Sequence, residues 1–77
     1  MAITPRRYYV DAKTKGVWIL DGNARLWDDA MKEVERLKAL GRPICLQVNV
    51  YREVGITKVW VKGWARTDRN SPWKPVK

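Results

Sequence analysis

The chain has no histidine, no phenylalanine and a single cysteine among its 77 residues. Histidine is the side chain whose unperturbed pKa lies near neutral pH, so its absence removes the usual general acid, general base and metal ligand at once. One cysteine cannot form an internal disulfide, and without histidine it cannot complete a structural zinc site. Cys45 is therefore expected to be a small buried thiol, and a reducing compartment, the cytoplasm, is the expected location. No apolar run has the length of a membrane span, and residues 1–7 lack the apolar core of a secretion signal. No membrane partner, cofactor, metal or active site is expected, and the protein reads as a non-enzyme.

Acidic residues are also scarce, eight against sixteen basic ones, for a net charge of +8. The excess is uneven. Residues 24–41 balance Arg25, Lys32, Arg36 and Lys38 against Asp28, Asp29, Glu33 and Glu35. That segment has the charges of an ordinary solvated helix, with Asp28 and Asp29 where a first turn favours anions. Residues 42–66 carry five basic groups against Glu53 alone. A basic surface of this kind speeds encounter with polyanions and makes binding sensitive to salt.

Aliphatic and aromatic periodicity predicts the elements. Residues 6–11 and 16–20 are rich in β-branched and aromatic residues and read as a hairpin closed by the polar residues 11–15. Asp21-Gly22-Asn23 breaks the second strand, with Asn23 as the expected helix cap. Leu26, Trp27, Ala30, Met31, Val34, Leu37 and Leu40 recur at three- and four-residue spacing, the stripe of a helix ended by a left-handed Gly41 and by Pro43. Ile44, Leu46, Val48 and Val50 then alternate with Cys45, Gln47, Asn49 and Tyr51, and a second hairpin returns as residues 58–66. The expected fold is α+β: one domain over residues 1–66, two β-hairpins flanking one helix (ββαββ), with the helix on one face of a four-stranded, mainly antiparallel sheet. Residues 67–77 read as a mobile basic tail.

The last strand carries the main functional signal. Residues two apart share a strand face, so strict alternation puts Lys58, Trp60, Lys62, Trp64 and Arg66 on one side and Val59 and Val61 on the other. The valine side, with Tyr8, Val10, Val17, Ile19, Ile44, Leu46, Val48 and Val50, is expected to meet the helix. The opposite side then gathers the aromatic and cationic residues, joined by Arg7, Tyr9, Trp18, Gln47, Asn49 and Tyr51. Exposed aromatic surface of this extent calls for a partner. Rings that stack on bases beside cations that follow phosphates suit a nucleic acid, DNA or RNA, with single strands favoured. Trp60, Trp64, Tyr51 and Trp18 would stack, Lys58, Lys62, Arg66 and Arg7 would meet phosphates, and Gln47 and Asn49 would touch base edges.

Other readings use the same residues. Trp, Tyr and Arg are the usual anchors of protein interfaces, so an acidic protein surface would also fit this face. In size and composition the chain resembles small accessory proteins of bacteriophages and mobile elements, a resemblance that implies protein binding or inhibition of host machinery. The aromatics could also be covered internally, by cross-strand pairs or by Trp73 folding back over Trp60 or Trp64, or by a second copy in a homodimer.

Overall fold

The computed structural model describes residues 7–76; Arg6 and Lys77 lie outside the described residues, as do the side chains of Leu20 and Asp21. Strands β1 (Tyr8–Thr14) and β2 (Val17–Ala24) are followed by helix α1 (Trp27–Lys38) and by β3 (Gln47–Val54), β4 (Thr57–Ala65) and β5 (Lys74–Val76). All strand pairs are antiparallel, in the order β2-β1-β3-β4-β5. The helix packs across β1, β2 and β3. The result is the expected small α+β domain with one helix on an open sheet, with five strands in place of four.

The first hairpin turns over two residues, Lys15 and Gly16, both at positive φ (49° and 80°), the combination whose twist matches that of flanking strands. The sequence suggests a five-residue turn at this point, because Asp11 and Lys13 are polar. They belong to β1 instead, where they alternate with the buried Val10 and Ala12. At its other end β2 runs through the expected breaker as far as Ala24, since Tyr8 to Val10 of β1 supply it with hydrogen-bonding partners. The helix consequently starts later, after Leu26, whose side chain makes no cap, and Asn23 instead accepts a hydrogen bond from Arg7 at 2.7 Å. The helix ends on a right-handed Ala39, without a left-handed glycine at position 41.

Val10, Ala12, Val48 and Val50 of the central strands meet Ala30, Val34 and Leu37 of the helix, and Cys45 completes this core. Fully burying one aliphatic side chain of this size contributes about 1.5–3 kcal/mol. Five of the ten residues assigned to this layer fall outside it: Val17, Val59 and Val61 are exposed, and Ile44 and Leu46 precede β3, where the alternation does not hold and Cys45 takes the buried place instead. Val17 opens β2 at the hairpin turn, and Val59 lies on β4, which the helix does not pack across. Val61 is displaced for a different reason, an irregularity in the pairing of β3 with β4.

The segment expected to be a mobile tail supplies the fifth strand. Asp68 reverses the chain, with its Oδ1 accepting from the Asn70 amide (2.8 Å) and the Ser71 hydroxyl (3.0 Å). The Asn70 amide, and then the Ser71 hydroxyl, hold this carboxyl below its ordinary pKa. Residues 74–76 then pair with residues 63–65. Pro75 is tolerated because β5 is an edge.

Candidate functional site

Pairing register decides which side chains share a face, because directly opposed residues of an antiparallel pair point the same way. On the face away from the helix, Tyr9, Asp11 and Lys13 of β1 stand opposite Tyr51, Asn49 and Gln47 of β3. On β4, Gly63 opposes Asn49, but Trp60 opposes Tyr51, so Val61 is an extra residue between the two pairs. This β-bulge reverses the parity of β4. Lys58 and Trp60 therefore belong to the open face, whereas Lys62 and Trp64, which pair with Val50 and Val48, belong to the helix face. The single-sided ribbon read from the sequence is divided between two surfaces, and Val61 leaves the core as the bulged residue. A second bulge, in β2 opposite Ala12 and Lys13, keeps Trp18 on the open face beside Lys13.

Trp60 lies against Gly63. A Cβ at position 63 would stand 3.2 Å from the indole and 2.6 Å from Asn49 Oδ1. The indole N–H donates to Asn49 Oδ1 at 3.2 Å, which fixes the ring in place. Its underside is thus closed by the sheet, yet Trp60 remains 40% exposed and Trp18 57% exposed. Lysines from β1 and β4 lie over two of the rings on this face. Lys58 Nζ lies 4.0 Å from the Tyr9 ring centre and Lys13 Nζ 4.9 Å from that of Trp18. Arg7, hydrogen-bonded to Asn23, sits at one end of the same surface.

Beneath the rings runs a polar row. Gln47 Nε2 donates to Asn49 Oδ1 at 3.2 Å, and Asn49 Nδ2 donates to Asp11 Oδ1 at 3.0 Å. Asn49 and Asp11 are each only 2% exposed, so Asn49 orients Trp60 and Asp11 and has no free edge for a base. Among the described residues Asp11 Oδ2 has no hydrogen-bond partner. Burial pushes the Asp11 pKa above its ordinary 3.8, against the opposing effects of the Asn49 hydrogen bond and the Lys13 charge. Burial, and then the Asp11 charge, likewise push the Tyr51 phenol up.

A carboxyl whose pKa rises on folding contributes its full stability below the unfolded value and loses it as pH rises through the folded value. Asp11→Asn removes that loss, so the variant is expected to be more stable than the parent at pH 7, by about 1 kcal/mol or more. The difference should shrink as pH falls toward 3.8. Urea titrations across this range measure it; a gap that stays constant with pH would show that the carboxylate is not under strain.

The helix face beyond the end of α1 holds the remaining candidates. Lys38 Nζ lies 4.4 Å from the Trp64 ring centre and 5.6 Å from that of Trp73, and the Arg66 guanidinium lies 4.4 Å from Trp73. Arg66 also donates to the Cys45 carbonyl (3.0 Å) and the Arg69 carbonyl (3.3 Å), tying the start of the tail to the loop before β3. Trp64 and Trp73 are half-buried against the core, so Trp73 folds back on the Trp64 side, away from Trp60. Lys62 is exposed there, 5.4 Å from Trp64.

The structure thus brings Trp60, Lys58, Tyr51, Trp18, Gln47, Asn49 and Arg7 to one surface and removes Trp64, Lys62 and Arg66 from it. It adds Tyr9, Asp11 and Lys13. Their spacing at i, i+2 and i+4 is a legible strand signal, obscured because Asp11 to Lys15 has the polarity of a turn. Among the described residues no helix is long and apolar enough to cross a membrane, and no three potential ligands cluster to hold a metal. No family model, curated protein or solved structure matches this chain.

Proposed function

We propose that the protein binds unpaired nucleic acid on the open face of its sheet, with Trp60 and Trp18 as stacking platforms and Lys13, Lys58 and Arg7 as phosphate contacts. One observation carries this reading: the Trp60 ring is fixed on Gly63 by its N–H bond to Asn49, leaving its outer side to solvent. An aromatic plane held in this way loses little conformational freedom when a base stacks on it. The lysines beside Trp18 and Tyr9 add charge of the sign a phosphate chain requires. Duplex reading is disfavoured, because flat indoles projecting from a sheet are poorly shaped for base edges in a groove.

A second reading, a protein partner, draws on the exposed Val54 and Ile56 at the tip of the β3–β4 hairpin. Salt separates the two. A short single-stranded oligonucleotide is expected to quench tryptophan fluorescence at low salt. With three phosphates neutralised, the logarithm of affinity should fall by roughly 2 per tenfold rise in salt. No quenching at low salt would eliminate the nucleic-acid reading and leave the protein partner, to be sought by pull-down with Trp60→Ala as the control.

A further inference from the structure

Between Trp18 of β2 and Lys58 of β4 the open face is indented by a pocket of about 170 Å³, lined by Tyr9, Asp11, Trp18, Tyr51 and Lys58 together with Val10 and Gly22. Its walls are aromatic. Asp11 is 2% exposed and its Oδ2, among the described residues, is unpartnered. The Tyr51 hydroxyl lies close enough to work against burial and lower the Asp11 pKa, as a hydrogen-bond donor would, but it does not reach hydrogen-bond geometry with Oδ2. Oδ1 accepts a single hydrogen bond, from Asn49, so the carboxylate keeps most of its accepting capacity. At the edge, Lys58 places its ammonium over the Tyr9 ring.

Three properties of an occupant follow. It is flat, to lie against the rings; it presents N–H donors, to meet a carboxylate; and it carries negative charge elsewhere, to meet Lys58. A cationic side chain of a protein partner satisfies the first two conditions but is opposed by Lys58 and Lys13, each already held over a wall ring. A nucleotide satisfies all three. Among the bases, adenine, cytosine and thymine each set an acceptor beside the donor on their pairing edge. Guanine alone sets two donors, N1–H and the 2-amino group, side by side, matching the two oxygens of a carboxylate.

We propose that this pocket takes one unpaired guanine, its ring against the Tyr9, Tyr51 and Trp18 walls, its N1–H and 2-amino donors on Asp11, and its phosphate on Lys58. The proposal rests on the open face being a nucleic-acid surface, and adds base selection to it. Oδ2 lies beneath the walls, so the base enters as the tyrosine side chains turn aside. The cost of burying a lone carboxylate is then offset on binding, when its free oxygen gains donors.

The test is a fluorescence titration of the intact protein with short thymidine oligonucleotides carrying guanine, inosine or adenine at one central position. Guanine should bind about 5- to 150-fold more tightly than thymidine alone, the range for one bidentate base contact. Inosine, lacking the 2-amino group, should fall between, and adenine should give no gain. Asp11→Asn should bring the affinity for the guanine strand down to that for the thymidine strand, erasing the ratio between them. Equal affinity for all bases in the parent protein, or a guanine preference that survives Asp11→Asn, would overturn the pocket while leaving the stacking surface standing. Failure of every strand to bind would overturn both. Saturable quenching by a short arginine peptide, with no response to guanine, would reassign the pocket to a cationic protein segment.

Discussion

Trp60→Ala is expected to weaken binding of a short single strand by about 5- to 150-fold, the range that follows from the ~1–3 kcal/mol lost with one stacking aromatic. Trp64→Ala, four residues along the same strand, should leave the affinity of the folded protein nearly unchanged. Its cost should appear in stability, because Trp64 packs against the core and carries Lys38 over its ring. A loss of about 2 kcal/mol is expected, below the ~3–5 kcal/mol of a fully buried tryptophan because Trp64 is only half-buried. Measuring both quantities for both variants tests the bulge at Val61 directly. If the two substitutions reduced affinity equally, the two indoles would share a surface and β4 would run without a bulge. Gly63→Ala supplies an independent arm: the added methyl would press on Asn49 Oδ1 and the underside of Trp60. It should lift the ring from its seat and weaken binding with every aromatic still present.

The largest stability effect is expected at Leu37. It is the largest of the fully buried side chains, in the last turn of α1 and part of the core between the helix and the sheet. Truncating a buried leucine to alanine costs about 2–5 kcal/mol, with the spread set by how far the surroundings collapse into the space left. A domain of this length has only about 4–12 kcal/mol of total stability, so Leu37→Ala should remove at least about a sixth of it. The observable is the urea midpoint, which should fall with an unchanged slope if unfolding stays two-state. Leu26→Ala, exposed and extended just ahead of the helix, serves as the comparison and should shift the midpoint little. Equal shifts would mean that the stripe does not face the sheet through Leu37.

Much of the framework is legible in the sequence because it is local. The helix stripe through Ala30, Val34 and Leu37 follows from a 3.6-residue period, and the buried Val48 and Val50 follow from strict alternation. Sequence and structure part where a local signal is overruled by distant pairing. Asp21-Gly22-Asn23 looks like a breaker, yet it is held as strand by β1. Asp11 and Lys13 look like turn residues, yet they are central on the open face because β1 is flanked on both sides. The tail looks unstructured by composition, although Asp68, Asn70 and Ser71 carry the signature of a turn stabilised by an aspartate side chain, and Arg66 with Trp73 fastens it.

What the sequence determined by itself is the class of fold and the chemistry on offer: a helix-covered sheet, an excess of cations, five tryptophans and no histidine. Those properties are set by composition and by periods of a few residues, which need no knowledge of neighbours. Only the tertiary structure decided which indole faces solvent and which carboxylate is enclosed. Both depend on register between strands far apart in the chain, where one inserted residue at Val61 turns Trp60 outward and Trp64 toward the helix.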